Sequence, residues 1–464
     1  MAHPPMMRKT VSAGLVALLA AGSAQAADLA STAALLRDQA LKDSTAWEVT
    51  ESLTTEIGAR PQGSPAMDRA RDWGVAKLTA LGFTNVHVET FETGSWLRGA
   101  ESAEVVAPYP QKLQILGLGR STPTPPGGLE AEIVLFKNLD DMLALPPGAL
   151  KGKIAVVTQT MRKTQDIAGY AAGVRARGAG PEAAKRGAVA YLVRSISTDD
   201  TRLPHTGGGG AGAGIPMAAL STPDAELLER MAARGKPVRI KLNMASTQRD
   251  KVAAYNVVGE IKGREKPDEV IVIGGHLDSW DPGTGAIDDA AGIAITTAAA
   301  KLIGDLPQKP RRTIRVVMWG AEEQGGASAA YAAAHKDEVG KIVVAGESDL
   351  GAGEIFNAKL PAGSREHPAM RAFASAVAPL KTIVSTVPAT SGGSDISGLV
   401  DLGAPVVDLQ QDATRYFDLH HSADDTLDKV DPKELAQNVA VWAAFVYTVA
   451  DSDIDFRQTA AGGK

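Results

Sequence analysis

At 464 residues the chain is too long for one small core, and a prior of about 150 residues per domain predicts more than one folded unit. With 44% hydrophobic and 22% charged residues it can bury a core, while a net charge of -6 and only 5% aromatics exclude a broad basic face or a stacking platform, so no nucleic acid is expected as partner. There is no cysteine, which removes disulfides, thiolate nucleophiles and thiolate-bound metals and leaves His, Asp and Glu to hold any ion.

Arg8 and Lys9 precede an apolar run over 11–21 and the small-residue sequence Ala24-Gln25-Ala26, which reads as a signal peptide over 1–26. The run is shorter than the ~20 apolar residues a membrane span needs. A secreted or periplasmic protein is expected, with no membrane contact after cleavage. Helical spacing follows over 44–82, carried by Trp47, Leu53, Ile57, Ala70, Trp73 and Leu78 and broken by the turn-rich loop 58–65. Alternation predicts a strand over 86–91.

Prolines and glycines over 117–128 mark a connection into a small α/β unit. Its expected strands are 131–136, 154–157, 188–193 and 238–242, its helices 181–186 and 224–234, and the segment 245–251 returns to the main fold. The glycines from Gly207 lack the Lys-Ser/Thr of a phosphate loop and read as a plain loop. Beyond Tyr255, strands at 256–261, 270–275, 313–319 and 341–346 alternate with helices at 288–303 and 325–335. Uninterrupted apolar strands in such an order predict an α/β fold, a mostly parallel, mixed sheet sandwiched by helices. Ligands bind such sheets beyond the carboxyl ends of the strands.

Polar side chains stand at those ends. His276 and Asp278 follow one strand, Glu322 and Glu323 the next, and Asp349 a third. Asp288 opens a helix, where the bland reading is a cap on the helix dipole. His420 and His421 are adjacent in a loop, and such a pair alone is more often solvent-facing than ligating. Oxygen and imidazole donors gathered at one sheet edge suit divalent zinc. Paired ions ~3.5–4 Å apart need a bridging carboxylate, for which Asp288 is the choice. No His-Glu-x-x-His helix and no Gly-x-Ser-x-Gly elbow is present.

The segments Gly274-Gly275-His276-Leu277-Asp278-Ser279-Trp280, Gly285-Ala286-Ile287-Asp288-Asp289, Trp319-Gly320-Ala321-Glu322-Glu323-Gln324-Gly325, Glu347-Ser348-Asp349 and His420-His421-Ser422 occur in the order of a known family. Together they resemble the zinc-dependent exopeptidases that include bacterial leucyl aminopeptidases and carboxypeptidase Q. The double histidine is similar to the carboxypeptidase Q branch. The likeness runs over about 256–431.

The resemblance implies two zinc ions per subunit, one held by His276, Asp288 and Asp349 and the other by Asp288, Glu323 and His421. His421 precedes the Asp425-Thr426 pair with the family's spacing, and His420 stays open as the alternative ligand. Asp278 would fix the tautomer of His276. Glu322, left without a metal, would be the general base toward water. His420 stands where several aminopeptidases carry a tyrosine, and it either donates to the tetrahedral intermediate or packs beside the ligand.

Further expectations follow from the same likeness. They are a peptide substrate, a catalytic unit in two pieces at 27–127 and 248–464, after the signal peptide at 1–26, and a protease-associated-like domain inserted at 128–247. Ser394 and Asp395, in a loop resembling one on the family's substrate side, and Arg60 are the substrate-binding candidates, and His205 sits in an insert segment that would reach the site. A homodimer is a further expectation. Two rival readings are a single-zinc acyltransferase of the glutaminyl cyclase kind and a non-catalytic peptide-binding relative.

Overall fold

A computed structural model describes residues 27–457, so the expected signal peptide lies outside the described residues. The described part starts with α1, helical from its first residue to 40, followed by α2 (Thr45–Ser52) and α3 (Pro65–Ala80). Pro65 sits at the first turn of α3, and the Ser64 side chain accepts from the Met67 amide, so this helix begins on a proper cap.

Then come β1 (Thr84–Ala107), β2 (Gln111–Leu113), β3 (Ile115–Gly117), β4 (Leu129–Phe136), α4 (Leu139–Leu143), β5 (Ile154–Val157), α5 (Ala168–Arg177), α6 (Gly180–Lys185), β6 (Ala190–Arg194), β7 (Met217–Leu220) and α7 (Thr222–Ala232). The last part holds β8 (Arg239–Ile261), β9 (Lys266–His276), α8 (Ala291–Gly304), β10 (Arg312–Trp319), α9 (Ala327–His335), β11 (Ile342–Glu347), β12 (Ile355–Lys359), α10 (Pro368–Val377), β13 (Ile383–Val384), α11 (Ser397–Asp401), β14 (Asp408–Gln411) and α12 (Pro432–Ala450).

Among the described residues, eleven strands hydrogen-bond into one mixed sheet, ordered β11-β9-β10-β8-β4-β5-β6-β7-β3, with β1 and β2 branching from β8. β11, β9 and β10 pair in parallel, as do β4, β5, β6 and β7. The antiparallel β8 joins these two halves, and β1 runs beside it for most of its length.

This corrects two expectations. The strand expected at 86–91 extends to Ala107, and the return segment 245–251 together with the strands expected at 238–242 and 256–261 forms the single strand β8. The expected domain boundary at 247/248 falls inside that strand, so a continuous ribbon crosses it. Charged residues interrupt its apolar pattern, yet it pairs with β1 from Arg239 to Glu260, across four register shifts, and this pairing satisfies much of the ribbon's backbone.

Around β9 and β10 the period-two alternation sorts side chains to two faces. Ile271, Ile273, Ile314, Val316 and Met318 face the layer of α8, α12, α2 and α3, whereas Val270, Val272, Val317 and Trp319 face α9 and α11. Asp431 caps α12 by accepting from the Lys433 and Glu434 amides, and its Trp442 and Phe445 are fully buried. Burial of side chains of this size stabilises by ~1.5–3 kcal/mol each. The layer therefore holds the strand ends in fixed positions.

Candidate metal centre

The parallel register sets three carboxyl-terminal strand ends level, with Trp319 beside His276 and Glu347 beside Gly274. His276 ends β9, Glu322 and Glu323 lie in the turn after β10, and Asp349 follows β11. Asp288 reaches them from the loop ahead of α8. That helix begins at Ala291, not at Asp288 as the sequence pattern predicts, and Asp288 is extended at φ -132, ψ 85.

The capping role falls instead to Asp289, whose Oδ1 accepts from the Gly292 amide and whose Oδ2 accepts from the His276 amide, both at 3.0 Å. Two glycines permit this approach. A Cβ on Gly292 would lie 1.8 Å from the Ser348 carbonyl oxygen, and one on Gly275 would lie 2.4 Å from the Asp289 carboxylate. With Asp289 occupied in joining helix to strand, Asp288 is left to face the cluster.

The two oxygens of Asp288 face different histidines. Oδ1 lies 2.9 Å from His276 Nε2, which is also 3.4 Å from Asp349 Oδ1. Oδ2 lies 3.1 Å from His421 Nε2, which is 3.0 Å from Glu323 Oε2. His420 Nε2 is farther from Asp288 Oδ2, at 3.7 Å. Each facing imidazole has its other nitrogen occupied: His276 Nδ1 donates to the Asp278 carbonyl at 2.9 Å, and His421 Nδ1 donates to the Thr206 carbonyl at 3.3 Å.

In the neutral form with Nδ1 protonated, each Nε2 would turn its lone pair toward carboxylate oxygens, an arrangement that a cation displacing the second proton would satisfy. Asp288 Oδ2 and Glu323 Oε1 are buried without a hydrogen-bond partner. Donor atoms of His276, Asp288 and Asp349 lie within 4.8 Å of one another, as do those of Asp288, His420 and His421. The residues present therefore fit divalent cations on both sides of Asp288.

The electrostatics point the same way. Burial lowers the His421 imidazole, but Glu323 and Asp288 outweigh it and lift the group to about 9. Burial, reinforced by Asp349, Glu323 and Glu347 and opposed by His276, holds Glu322 well above the ordinary carboxylate range. Glu347 is pushed up to about 8 by burial and then by Asp349. His421 adopts a left-handed backbone at φ 60, which for a non-glycine residue costs on the order of 1–3 kcal/mol. The Thr206 amide holds it by donating to its carbonyl at 3.0 Å, and His205 Nδ1 donates to the His420 carbonyl at 2.6 Å.

Some expected roles change. The Asp278 carboxylate is 3.7 Å from His276 Nδ1, which takes the Asp278 backbone carbonyl instead. Its oxygens accept from the Glu322 and Glu323 amides at 3.0 and 3.2 Å, so Asp278 positions the carboxylate turn more than the histidine. Arg60, expected at the substrate, is fully buried and donates to the carbonyls of Leu277, Thr284 and Gly285 at 2.5, 2.7 and 2.9 Å. A guanidinium at that depth must direct its donors to such acceptors, and this one braces the loop carrying Asp288. Asp395 is also buried, with its amide donating to Glu347 Oε2 at 2.8 Å, while its neighbour Ser394 lies on the cavity wall.

The cavity beside these groups has a volume of about 330 Å³. Its walls include Asp288, Glu322, Glu323, Asp349, His420 and His421, and also Tyr170, Arg177, Glu347 and Tyr416, which sequence reasoning did not single out. Tyr416 stands one short helical turn before His420, with ring centroids 5.0 Å apart, and that spacing was its only signal in the sequence. His420 stacks on His421 at 3.4 Å between centroids.

Residues 256–446 match the model of peptidase family M28. Carboxypeptidase Q of Mus musculus is 37% identical over 405 residues, covering 86% of this chain and 84% of that protein. The carboxypeptidase Q of Bos taurus is 37% identical over 404 residues with the same coverage. Among solved structures, a peptidase M28 precursor from Shewanella amazonensis SB2B has 44% identity and a TM-score of 0.90, covering 93% of this chain and 98% of that one. A zinc aminopeptidase from Bacillus subtilis, at 18% identity, shares the fold with a TM-score of 0.65 over 89% of this chain and 96% of its own.

Proposed function

Because the chain belongs to peptidase family M28, close to carboxypeptidase Q, we propose that this metallopeptidase is an exported di-zinc exopeptidase acting on short peptides. The observation that carries the reading is Asp288, whose two oxygens face His276 and His421 on opposite sides. In this reading His276, Asp288 and Asp349 hold one zinc, and Asp288, Glu323 and His421 hold the other. Bound there, two such ions would supply Lewis acidity toward the scissile carbonyl and the attacking water.

Glu322 lies on the cavity wall outside both ligand sets, where its carboxylate can take a proton from water and return it to the leaving amine. Asp278 keeps Glu322 and Glu323 in register through their amides. His420 is held neutral by burial and by its neighbour His421, and its place on the cavity wall beside Asp288 suits a donor to the developing oxyanion. Export rests on the basic, apolar and small-residue order of residues 8–26. No helix among the described residues is long and apolar enough to cross a membrane.

A dipeptide panel with free, N-blocked and C-amidated members, assayed with and without chelator, tests the reading. The expected result is hydrolysis of free dipeptides that chelation stops and zinc restores. Cleavage insensitive to chelator, or confined to peptides blocked at both ends, would contradict it.

A further inference from the structure

His421 alone of the five ligands comes from the chain's last loop region and not from β9, β10, β11 or the loop ahead of α8, and residues from distant segments fix it. The Thr206 carbonyl accepts from His421 Nδ1 at 3.3 Å, and the Thr206 amide donates to the His421 carbonyl at 3.0 Å. One residue of the insert thus sets both the ring and the left-handed backbone of this ligand. Thr206 is itself fully buried. Its hydroxyl donates to the Gly117 carbonyl at 2.7 Å and accepts from Arg98 Nη2 at 3.0 Å.

Arg98 projects from β1, and its side chain is 8% exposed. Nε and Nη2 grip the two oxygens of Asp281 at 2.8 and 3.1 Å, and Nη1 donates to the Gly117 carbonyl at 2.5 Å. A planar guanidinium holds such a set of acceptors in a fixed geometry that an ammonium cannot match. Asp281 lies in the loop that leaves β9, next to Trp280. The Trp280 ring meets His421 edge-on at 5.8 Å between centroids, and it is closely seated, since a Cβ on Gly119 would lie 2.6 Å from its Cη2. Arg98 therefore ties β1, the β9 loop and the insert together, and the last two both touch His421.

Resting on the di-zinc reading, we propose that Arg98 is a positioning residue for the zinc on the His421 side: through Thr206 and the β9 loop it holds His421 Nε2 toward Asp288 and Glu323, which makes the insert part of that metal site. It touches neither ion nor substrate. On the other side the insert supplies no such brace, because His276 Nδ1 donates to the Asp278 carbonyl within its own loop. The two ions should therefore differ in how far their binding depends on the Thr206 hydroxyl. Groups that orient a ligand in this way raise metal affinity without entering the coordination sphere.

The test titrates zinc into chelator-stripped protein against a competing indicator, which reads the two affinities independently of turnover. His421→Ala identifies the step belonging to its side by removing it. In Thr206→Val, which keeps the shape of the side chain and removes its hydroxyl, that step is expected to weaken roughly 10- to 100-fold while the other stays within about twofold. Thr206→Ser restores the hydroxyl and should bind as wild type does. Arg98→Gln should weaken the same step at least as much, and the double variant no more than Arg98→Gln alone, because both changes act through one hydrogen bond. Should Arg98→Gln fail to fold, the two Thr206 variants carry the test. Unchanged affinities, equal losses in both steps, additive losses in the double variant, or a Thr206→Ser protein as weak as Thr206→Val would overturn the assignment. If wild-type protein binds only one zinc, the di-zinc reading falls; the brace then stands when Thr206→Val weakens that ion and falls when it does not.

Discussion

Glu322→Gln is expected to lower kcat on a free dipeptide by roughly 10²- to 10⁴-fold, about 3–5 kcal/mol of transition-state stabilisation, while zinc content stays at the wild-type value. Glutamine keeps the length and shape of the side chain and removes only the proton acceptor. The Glu322 amide, which donates to Asp278 Oδ1, is untouched, so the turn that also carries Glu323 should keep its place. Turnover and metal content are thereby separated, and elemental mass spectrometry beside a dipeptide assay reads both. An active, zinc-replete variant would remove Glu322 from the mechanism.

Asp288→Ala should have the opposite signature, losing metal and turnover together. One carboxylate serves both sides of the centre, with Oδ1 facing His276 and Oδ2 facing His421. Its removal leaves two donors on each side, His276 with Asp349 and Glu323 with His421. Loss of an outer partner typically weakens metal affinity by ~10–100-fold, and loss of a shared ligand should exceed that on both sides at once. Wild-type protein should also gain thermal stability on adding zinc, by ~4 kcal/mol when free metal is 1,000 times its dissociation constant, and the variant should gain almost none at the same concentration. Thermal unfolding with and without zinc checks this. A variant losing one ion and keeping the other tightly would show that Asp288 does not bridge.

The candidate centre was legible in the sequence because each donor stands where an apolar strand leaves the core. His276, Glu323 and Asp349 could be placed at one sheet edge from strand order alone, and His421 from its spacing to Asp425. What failed depended on partners distant in the chain. Arg60 reads as a lone loop arginine until Leu277, Thr284 and Gly285 close around it. Asp288 reads as either a cap or the bridge, and only the contacts of Asp289 with the His276 and Gly292 amides give the capping role to its neighbour. The ribbon of β1 and β8 carries too many charges to show as two long strands, and its hydrogen bonding appears only when the strands meet. Tyr170 and Arg177 sit in α5, whose small residues and glycines give little helical pattern, and they reach the centre because the insert segment with His205 and Thr206 grips the backbone of His420 and His421.

The zinc count per chain tests most directly whether a pair of ions shares Asp288. Protein stripped with chelator, reloaded with zinc and freed of excess should hold two zinc ions per chain, with full dipeptide hydrolysis returning only when both are bound. A single ion per chain carrying full dipeptide hydrolysis would contradict a shared Asp288, and a single ion with cyclisation of N-terminal glutamine and no dipeptide hydrolysis would favour a one-zinc acyltransferase.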